Sequence, residues 1–319
     1  MSVRGGIDLG GTKIQAVVVD DGNEVLGQSR RPTPRDGGPA GVAAEMSAVL
    51  RDAATEAGTH AAELLGVGVG SPGAIDEKRG TVEQARNLPD WEAPFPLAET
   101  LQRELGTRIR IGNDVQVAVD AEFALGAGKP YASILGVFWG TGVGGGIVLD
   151  GKPWLGLGAA GEIGHMVVKL GGARCPCGRR GCVEAYAGRG AMEASARKAA
   201  SNGERTHLFE IMERSDRTRL TSGVWAKALA HGDPLAVRLV DRAIEALGAG
   251  IASALNVLDV EAVVIGGGLG TRLGTPYAQR IEQAMLPHLF VSERPPAVHL
   301  AGLGDLGGAI GASLLVAGP

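Results

Sequence analysis

Residues 133–149 read S-I-L-G-V-F-W-G-T-G-V-G-G-G-I-V-L, and residues 3–19 read V-R-G-G-I-D-L-G-G-T-K-I-Q-A-V-V-V. Each stretch is an apolar run, a glycine-threonine turn and a second apolar run, which predicts a β-hairpin. Glycines in such turns let backbone amides approach an anion. Because one hairpin opens each half of the chain, the sequence predicts a duplicated unit that can bind phosphate.

Strands and helices alternate along the rest of the chain, which predicts an α/β fold. In the first half the pattern predicts strands at 24–28, 64–70 and 108–111 and helices at 41–58, 97–105 and 115–125. In the second half it predicts a charged helical region at 191–227, helices at 239–255, 276–289 and 307–316, and strands at 262–265 and 297–300. A length of 319 residues suits about two domains.

The composition is that of a folded protein, with 45% apolar and 21% charged residues. A net charge of −4 and a pI near 5.9 argue against a nucleic-acid-binding protein and against a protein that binds anionic membranes. Glycine is enriched, at 52 of 319 residues, against a usual share of about 7%. We therefore expect a small-molecule partner and many close backbone approaches.

The first residues contain no apolar segment typical of a secretory signal, so we expect a cytoplasmic protein. Residues 131–149 carry no charge, and this uncharged stretch is nearly as long as a membrane span. Six of these 19 residues are glycines, most of them grouped in the middle. This grouping favours a turn between two strands over a helix in a membrane.

The first glycine turn, D-L-G-G-T-K, places Asp8 at the end of a buried strand and Thr12 in the turn. A carboxylate beside a phosphate is repelled unless a cation lies between them, so Asp8 would bind Mg²⁺ through water. The alternative is an ordinary hairpin turn with a solvated Asp8. The second turn, G-T-G-V-G-G-G at 140–146, gives the phosphate interpretation its weight.

Two stretches match the dinucleotide-binding pattern G-x-G-x-x-G, at residues 140–145 and 302–307. That pattern requires a strand, the turn and then a helix within a βαβ unit. The first match leads into another strand, and we expect no strand after the second. The Walker pattern G-x-x-x-x-G-K-[ST] is absent, so both nucleotide motifs are excluded.

The three cysteines of the chain lie close together in the sequence, ten residues or more after a histidine. Their odd number argues against a disulfide framework. One imidazole and three thiolates form a closed tetrahedral set that is typical of structural zinc. The predicted ligands are His165, Cys175, Cys177 and Cys182. The alternative is a group of free surface thiols.

Asn113 and Asp114 follow a predicted strand and open a predicted helix, at the end of the strand where open α/β sheets bind ligands. One of the two is expected to be the helix N-cap whatever the function. Asp114 has no adjacent histidine or cysteine, so it does not fit a catalytic triad. It could still accept a proton from a hydroxyl, and phosphoryl transfer needs little beyond a base, a metal and positioned donors.

Taken in order, D-L-G-G-T-K, S-P-G, N-D, G-T-G-V-G-G-G, G-E-I-G-H-M, C-P-C-G-R-R-G-C-V-E and I-G-G-G-L resemble the ROK family of sugar kinases and repressors, and within it the bacterial glucokinases. The resemblance implies an actin-like, hexokinase-type fold, with two RNase H-like domains around a central cleft. We expect a smaller domain at 1–117 with 305–319, and a larger one at 118–304. The larger domain contains the zinc loop, residues 165–184.

The resemblance also implies roles for individual residues. Asp114 would be the catalytic base. The sugar would be bound by Gly73, Asn87, Asn113, Asp114, Glu162, His165 and Glu184. ATP and Mg²⁺ would lie against Asp8, Gly10, Gly11, Thr12, Lys13, Gly140, Thr141, Gly142, Gly267 and Gly268. One ring nitrogen of His165 could bind zinc while the other donates to a sugar hydroxyl.

The expected activity is phosphorylation of the 6-hydroxyl of glucose by Mg-ATP. Other acceptors (N-acetylmannosamine, fructose or allose) and polyphosphate as donor are the alternatives. A sugar-responsive repressor is expected least, because the first strand starts near Val3 and leaves no room for a DNA-binding domain. Gln116 departs from the Asn that relatives usually have, and the family suggests a homodimer or homotetramer.

Overall fold

The computed structural model describes residues 2–85 and 88–317. The chain forms two compact units. Unit 1 runs to Gly126 and resumes at Gly302, and unit 2 is Ala127–Ala301. The domain boundary expected at residue 117 falls inside a continuous helix, Asp114–Leu125, and the structural division follows the end of that helix.

Unit 1 is built on a five-stranded sheet in the order β3-β2-β1-β4-β7, beside a small hairpin of β5 and β6. Its strands are β1 (Arg4–Leu9), β2 (Lys13–Val19), β3 (Val25–Pro32), β4 (Val67–Ser71), β5 (Ala74–Asp76), β6 (Thr81–Glu83) and β7 (Ile109–Asn113). β1 pairs antiparallel with β2 and parallel with β4, which in turn pairs parallel with β7. The predicted opening hairpin is therefore confirmed.

Four helices cover this sheet: α1 (Gly38–Glu56), α2 (Leu97–Leu105), α3 (Asp114–Leu125) and α11 (Gly307–Leu314). Strand residues such as Ile7 and Val69 are fully buried with Met46 and Leu50 of α1. Gly6 and Gly68 lie against the backbone of α11, where a side chain on either strand would collide with the helix. Two glycines thus let α11 pack directly on the centre of the sheet.

Unit 2 repeats this arrangement with a sheet in the order β10-β9-β8-β11-β12. Its strands are β8 (Ile134–Trp139), β9 (Val143–Leu149), β10 (Lys152–Pro153), β11 (Ala262–Gly266) and β12 (Ala297–Leu300). β8 pairs antiparallel with β9 and parallel with β11, as β1 does with β2 and β4. The predicted duplication of an RNase H-like unit is confirmed.

The uncharged segment at 131–149 forms this strand pair, as the grouped glycines predicted. None of the helices in the described part of the chain combines the length and the apolar character that a bilayer-spanning segment needs.

The helices of unit 2 are α4 (Glu184–Ala187), α5 (Arg189–Ser201), α6 (Leu208–Arg214), α7 (Ser222–Ala230), α8 (Pro234–Leu258), α9 (Gly267–Leu273) and α10 (Thr275–Met285). The charged region predicted at 191–227 is divided between three helices. The helix predicted at 239–255 is longer, because Asp233 caps its start by accepting a hydrogen bond from the Ala236 amide at 2.8 Å. In the I-G-G-G-L motif, β11 ends at Gly266 and α9 begins directly at Gly267.

Candidate functional site

Several of the predicted site residues of unit 1 lie at one edge of its sheet. Because β1, β4 and β7 are parallel, their carboxyl ends meet there. Asp8 is in register with Gly70, and Asn113 is in register with Ser71. Asp114 follows Asn113 directly, so the fold brings the carboxylates of Asp8 and Asp114 to the same edge. This is the edge at which open α/β sheets bind ligands.

Asn113 is the N-cap of α3, so the structural role expected for one of this pair belongs to it. Its side-chain oxygen accepts hydrogen bonds from the amides of Val115 at 3.0 Å and Gln116 at 3.1 Å. Asp114 is the first residue of the helix, and its Oδ1 accepts a hydrogen bond from the Val115 amide at 2.9 Å. The positive end of a helix dipole stabilises a carboxylate there. The Val115 amide thus fixes the position of the Asp114 carboxyl group at the start of the helix.

Asp8 is a carboxylate without a close cationic partner among the described residues. Burial raises its pKa, and the charge of Lys13 opposes this only in part. The Lys13 ammonium donates instead to Oε1 of Gln15 at 2.8 Å. Gly308 of α11 makes room for the carboxyl group, since a Cβ there would lie 2.9 Å from Asp8 Cγ. A carboxylate in this setting suits a hydrated divalent cation.

Lys13 and Thr33 hold the turn at Gly10–Thr12. Its ends are closed by a hydrogen bond from the Gly10 amide to the Lys13 carbonyl, 2.9 Å. The Thr33 hydroxyl donates to the Gly10 carbonyl at 2.6 Å. Gly11 and Thr12 are exposed, so the outer part of the turn is open to a ligand.

Gly73 and Asn87 are two further residues of unit 1 that are predicted to contact the sugar. Gly73 has a φ of 101°, and a Cβ there would lie 2.6 Å from the Glu83 carbonyl oxygen, so the position accepts only glycine. Asn87 lies outside the described residues.

The glycine turns predicted for unit 2 also meet at one sheet edge. The turn after β8 is closed by a hydrogen bond from the Gly140 amide to the Gly142 carbonyl, 2.9 Å. β11 runs parallel to β8, with Gly266 in register with Phe138. A Cβ on Gly140 would lie 3.8 Å from the Gly268 amide nitrogen. The chain therefore places Gly267 and Gly268 next to the Gly140–Gly142 turn.

Glu184 connects this turn to the zinc loop. Its Oε2 accepts a hydrogen bond from the Val143 amide at 2.9 Å, and its Oε1 lies 3.9 Å from Cys175 Sγ. A side chain at Gly142 would collide with the Glu184 carboxylate. The turn thus fixes one oxygen of the carboxylate, and the other oxygen faces a predicted zinc ligand.

The four predicted zinc ligands are brought together. The ligand atoms of His165, Cys175, Cys177 and Cys182 all lie within 4.8 Å of one another. Sγ of Cys177 and Sγ of Cys182 are 3.8 Å apart, and Nδ1 of His165 is 3.8 Å from Cys175 Sγ. A tetrahedral ion with bonds of about 2.3 Å to sulfur requires sulfur atoms about 3.8 Å apart. The donor set fits zinc.

The thiols differ in how readily they lose a proton. Burial raises the pKa of Cys175 to about 12. Burial also opposes ionisation of Cys177, but hydrogen bonds from the backbone and side chain of Arg179 outweigh it and lower the pKa to about 6. Three adjacent thiolates require a bound cation. The chemistry of the cluster, as well as its geometry, therefore suits a metal.

His165 can serve two ligands at once. Its Nδ1 faces Cys175, and its Nε2 lies 3.9 Å from Oε2 of Glu162. The side chains of His165 and Glu162 are 26% and 58% exposed, so both are accessible from solvent. The arrangement leaves one ring nitrogen and one carboxylate available to a polar ligand.

Two residues near these sites, Gly308 and Arg189, were not predicted from the sequence, and no contact was predicted for Gln116. Gly308 makes room for Asp8, and its only signal was a run of small residues. Arg189 donates to the hydroxyls of Thr141 at 2.8 Å and Ser222 at 3.0 Å, but it belongs to no recognised motif. Gln116, noted as a departure from the family, donates to Oδ1 of Asp120 at 2.7 Å along its own helix.

Comparisons with known proteins identify the family. The ROK family model matches residues 4–318. A glucokinase of Thermotoga maritima is 30% identical, with 88% of each chain covered. An N-acetyl-D-glucosamine kinase of Yersinia pseudotuberculosis is 32% identical, with 97% of each covered. The crystal structure of a ROK family glucokinase from Streptomyces griseus in complex with glucose and AMPPNP has 31% identity and a TM-score of 0.84, and covers 98% of this chain and 99% of that one. The predicted resemblance is confirmed: the chain belongs to the ROK family.

Proposed function

We propose that this protein is a sugar kinase that transfers the γ-phosphoryl group of ATP to the 6-hydroxyl of glucose. The main support is its likeness, over nearly the whole chain, to the Streptomyces griseus glucokinase solved with glucose and AMPPNP. The carboxylates of Asp8 and Asp114 at one sheet edge supply the groups that such a reaction needs.

Asp114 is the proposed general base. As the sugar hydroxyl oxygen bonds to the γ-phosphorus, its proton passes to Asp114 and ADP leaves with the electron pair of the broken bond. A carboxylate suffices because the attacking alcohol needs only to lose its proton as the bond forms.

The sugar is proposed to be bound by Gly73, Asn87, Asn113, Glu162, His165 and Glu184. Carboxylates accept hydrogen bonds from two hydroxyls, which suits a neutral polyol. His165, with Nδ1 facing Cys175, would donate from Nε2. The side-chain oxygen of Asn113 is occupied by the helix cap, so its amide nitrogen is the group that would donate to the sugar.

The nucleotide is proposed to lie against Asp8, Gly10, Gly11, Thr12, Lys13, Gly140, Thr141, Gly142, Gly267 and Gly268. Exposed turn amides and hydroxyls bind phosphate oxygens, and Lys13 adds a positive charge. When bound, Mg²⁺ neutralises charge on the phosphates, and Asp8 would hold it through water. Structural zinc would be held by His165, Cys175, Cys177 and Cys182.

A panel of acceptors and donors tests this function. ADP release is measured with glucose, mannose, fructose, N-acetylglucosamine and N-acetylmannosamine, using ATP or polyphosphate. We expect the highest kcat/KM with glucose and ATP. The Yersinia relative makes N-acetylglucosamine the strongest competing acceptor, and a preference for it would change the substrate but keep the reaction class. Absence of phosphorylation of every sugar would contradict the proposal.

A further inference from the structure

Arg189, the first residue of α5, lies between the two glycine segments of unit 2. Its Nη2 donates to the Thr141 hydroxyl at 2.8 Å and its Nη1 donates to the Ser222 hydroxyl at 3.0 Å. The Arg189 amide donates to the Gly140 carbonyl at 3.1 Å. The side chain is therefore held on the same turn as its backbone.

The other glycine segment, at Gly267 and Gly268, lies beside the second hydroxyl that Arg189 contacts. A Cβ on Gly268 would lie 3.7 Å from the Ser222 hydroxyl oxygen, which accepts from Arg189. The guanidinium thus reaches a hydroxyl on each side, one in the Gly140–Gly142 turn and one facing Gly268. These are the segments proposed above to bind the nucleotide.

Arg189 forms no ion pair with any residue that the structure describes. No carboxylate in the described ranges 2–85 and 88–317 lies within 4.0 Å of its guanidinium. Glu193, the acid that attracts it, is already bound by Arg197 at 2.8 Å and by Arg219 at 2.9 Å. Two guanidinium groups therefore bind the carboxylate that also attracts Arg189, and these four side chains together carry more positive than negative charge.

The environment of Arg189 disfavours an uncompensated charge. Burial lowers its pKa, the charge of Arg219 lowers it further, and Glu193 opposes both. A partly buried cation whose partners are neutral hydroxyls gains most from an anionic ligand, because charge-assisted bonds replace neutral ones. Guanidinium groups suit phosphate in particular, since their planar donors match two oxygens at once.

We propose that Arg189 binds the terminal phosphates of the nucleotide, next to the Gly140–Gly142 turn. This inference rests on the proposed kinase function and adds to it a residue that neither the glycine pattern nor the family resemblance supplied. A purely structural role, in which Arg189 only joins the turn to α7, is the competing explanation.

The test compares Arg189→Gln with the wild type and with Arg238→Gln. Arg238 is a matched control because its guanidinium pairs with Glu204 on the surface of the same unit, at 2.7 and 2.8 Å. The KM values for Mg-ATP and glucose are measured, together with the affinities for ADP and AMP by calorimetry and the melting temperature. In Arg189→Gln we expect a KM for ATP about 10- to 100-fold higher and a similar loss of ADP affinity.

Two further measurements distinguish a loss of phosphate binding from a general structural defect. The glucose KM and the AMP affinity should stay within about threefold, because one charge-assisted bond to the terminal phosphates is what is lost. A KM for ATP and an ADP affinity close to those of the wild type would overturn the inference, whatever happens to the melting temperature. So would an equal loss of AMP affinity.

Arg189→Lys decides the question if Arg189→Gln does not fold. It keeps the charge but loses the planar pair of donors, so we expect a smaller rise in the KM for ATP, and an unchanged value would contradict the inference. Failure of the kinase proposal looks different. The wild type would then phosphorylate no sugar, while the effect of Arg189 on ADP affinity would remain measurable.

Discussion

At the scale of single residues, the central proposal is that Asp114 is the general base. Asp114→Asn keeps the shape of the side chain but removes the proton acceptor, so we expect kcat to fall by about 10²–10⁴-fold with glucose affinity largely retained. Asp120→Asn is the matched control, because it makes the same change in the same helix and should leave kcat within about threefold. Near-normal turnover of Asp114→Asn, measured by ADP release, would remove this residue from the role.

The carboxyl group of Asp120 predicts how the stability of the protein depends on pH. Burial raises its pKa to about 6, the charge of Glu77 raises it too, and a hydrogen bond from Gln116 opposes them. The folded state therefore holds this proton more tightly than the unfolded state, and stability falls as pH rises from about 4 to about 6. Asp120→Asn removes this loss, which amounts to about 3 kcal/mol. Urea unfolding at pH 4 and pH 7 should show the variant gaining stability relative to the wild type only at pH 7; a gain at pH 4 alone would contradict the account.

Among the elements, the loop at 165–184, which is proposed to bind zinc, carries the side chains of His165 and Glu184. Removing the metal should loosen it, because structural zinc contributes about 10–16 kcal/mol in small peptides. We expect about one zinc per chain by mass spectrometry. Cys182→Ser should lose the metal and raise the glucose KM by about 10- to 100-fold. Restoring zinc to chelated wild-type protein is the control, and metal-free protein with an unchanged glucose KM would contradict this role.

Glu122 joins two elements of unit 1. Its carboxylate accepts hydrogen bonds from the amides of Gly302 and Leu303, each at 2.8 Å, and so ties α3 to the segment that re-enters the unit. Glu122→Gln replaces one acceptor with a donor, and we expect it to lower the free energy of unfolding by about 1–3 kcal/mol. Glu99→Gln, on the exposed side of α2, should change it by less than about 0.5 kcal/mol. Equal denaturation midpoints for the two variants would show that these hydrogen bonds of Glu122 do not stabilise the unit.

For the whole molecule, local signals predicted most of the architecture. Repeated hairpins around Gly10–Thr12 and Gly140–Gly142 predicted the two related sheets, because the apolar runs and turn glycines are contiguous in sequence. Cysteine spacing predicted for the same reason that His165, Cys175, Cys177 and Cys182 come together. Arg189 could not be predicted, since its partners Thr141 and Ser222 are 48 and 33 residues away and only the fold brings them together.

The decisive measurement is the phosphorylation of glucose by purified protein with Mg-ATP, followed by ADP release and by identification of the sugar product. We predict ADP formation that depends on glucose, yields glucose 6-phosphate in equal amount, and falls by about 10²-fold or more in Asp114→Asn. ADP release that is independent of the sugar, or equal in Asp114→Asn and the wild type, would contradict the assignment of Asp114 as the base of a sugar kinase.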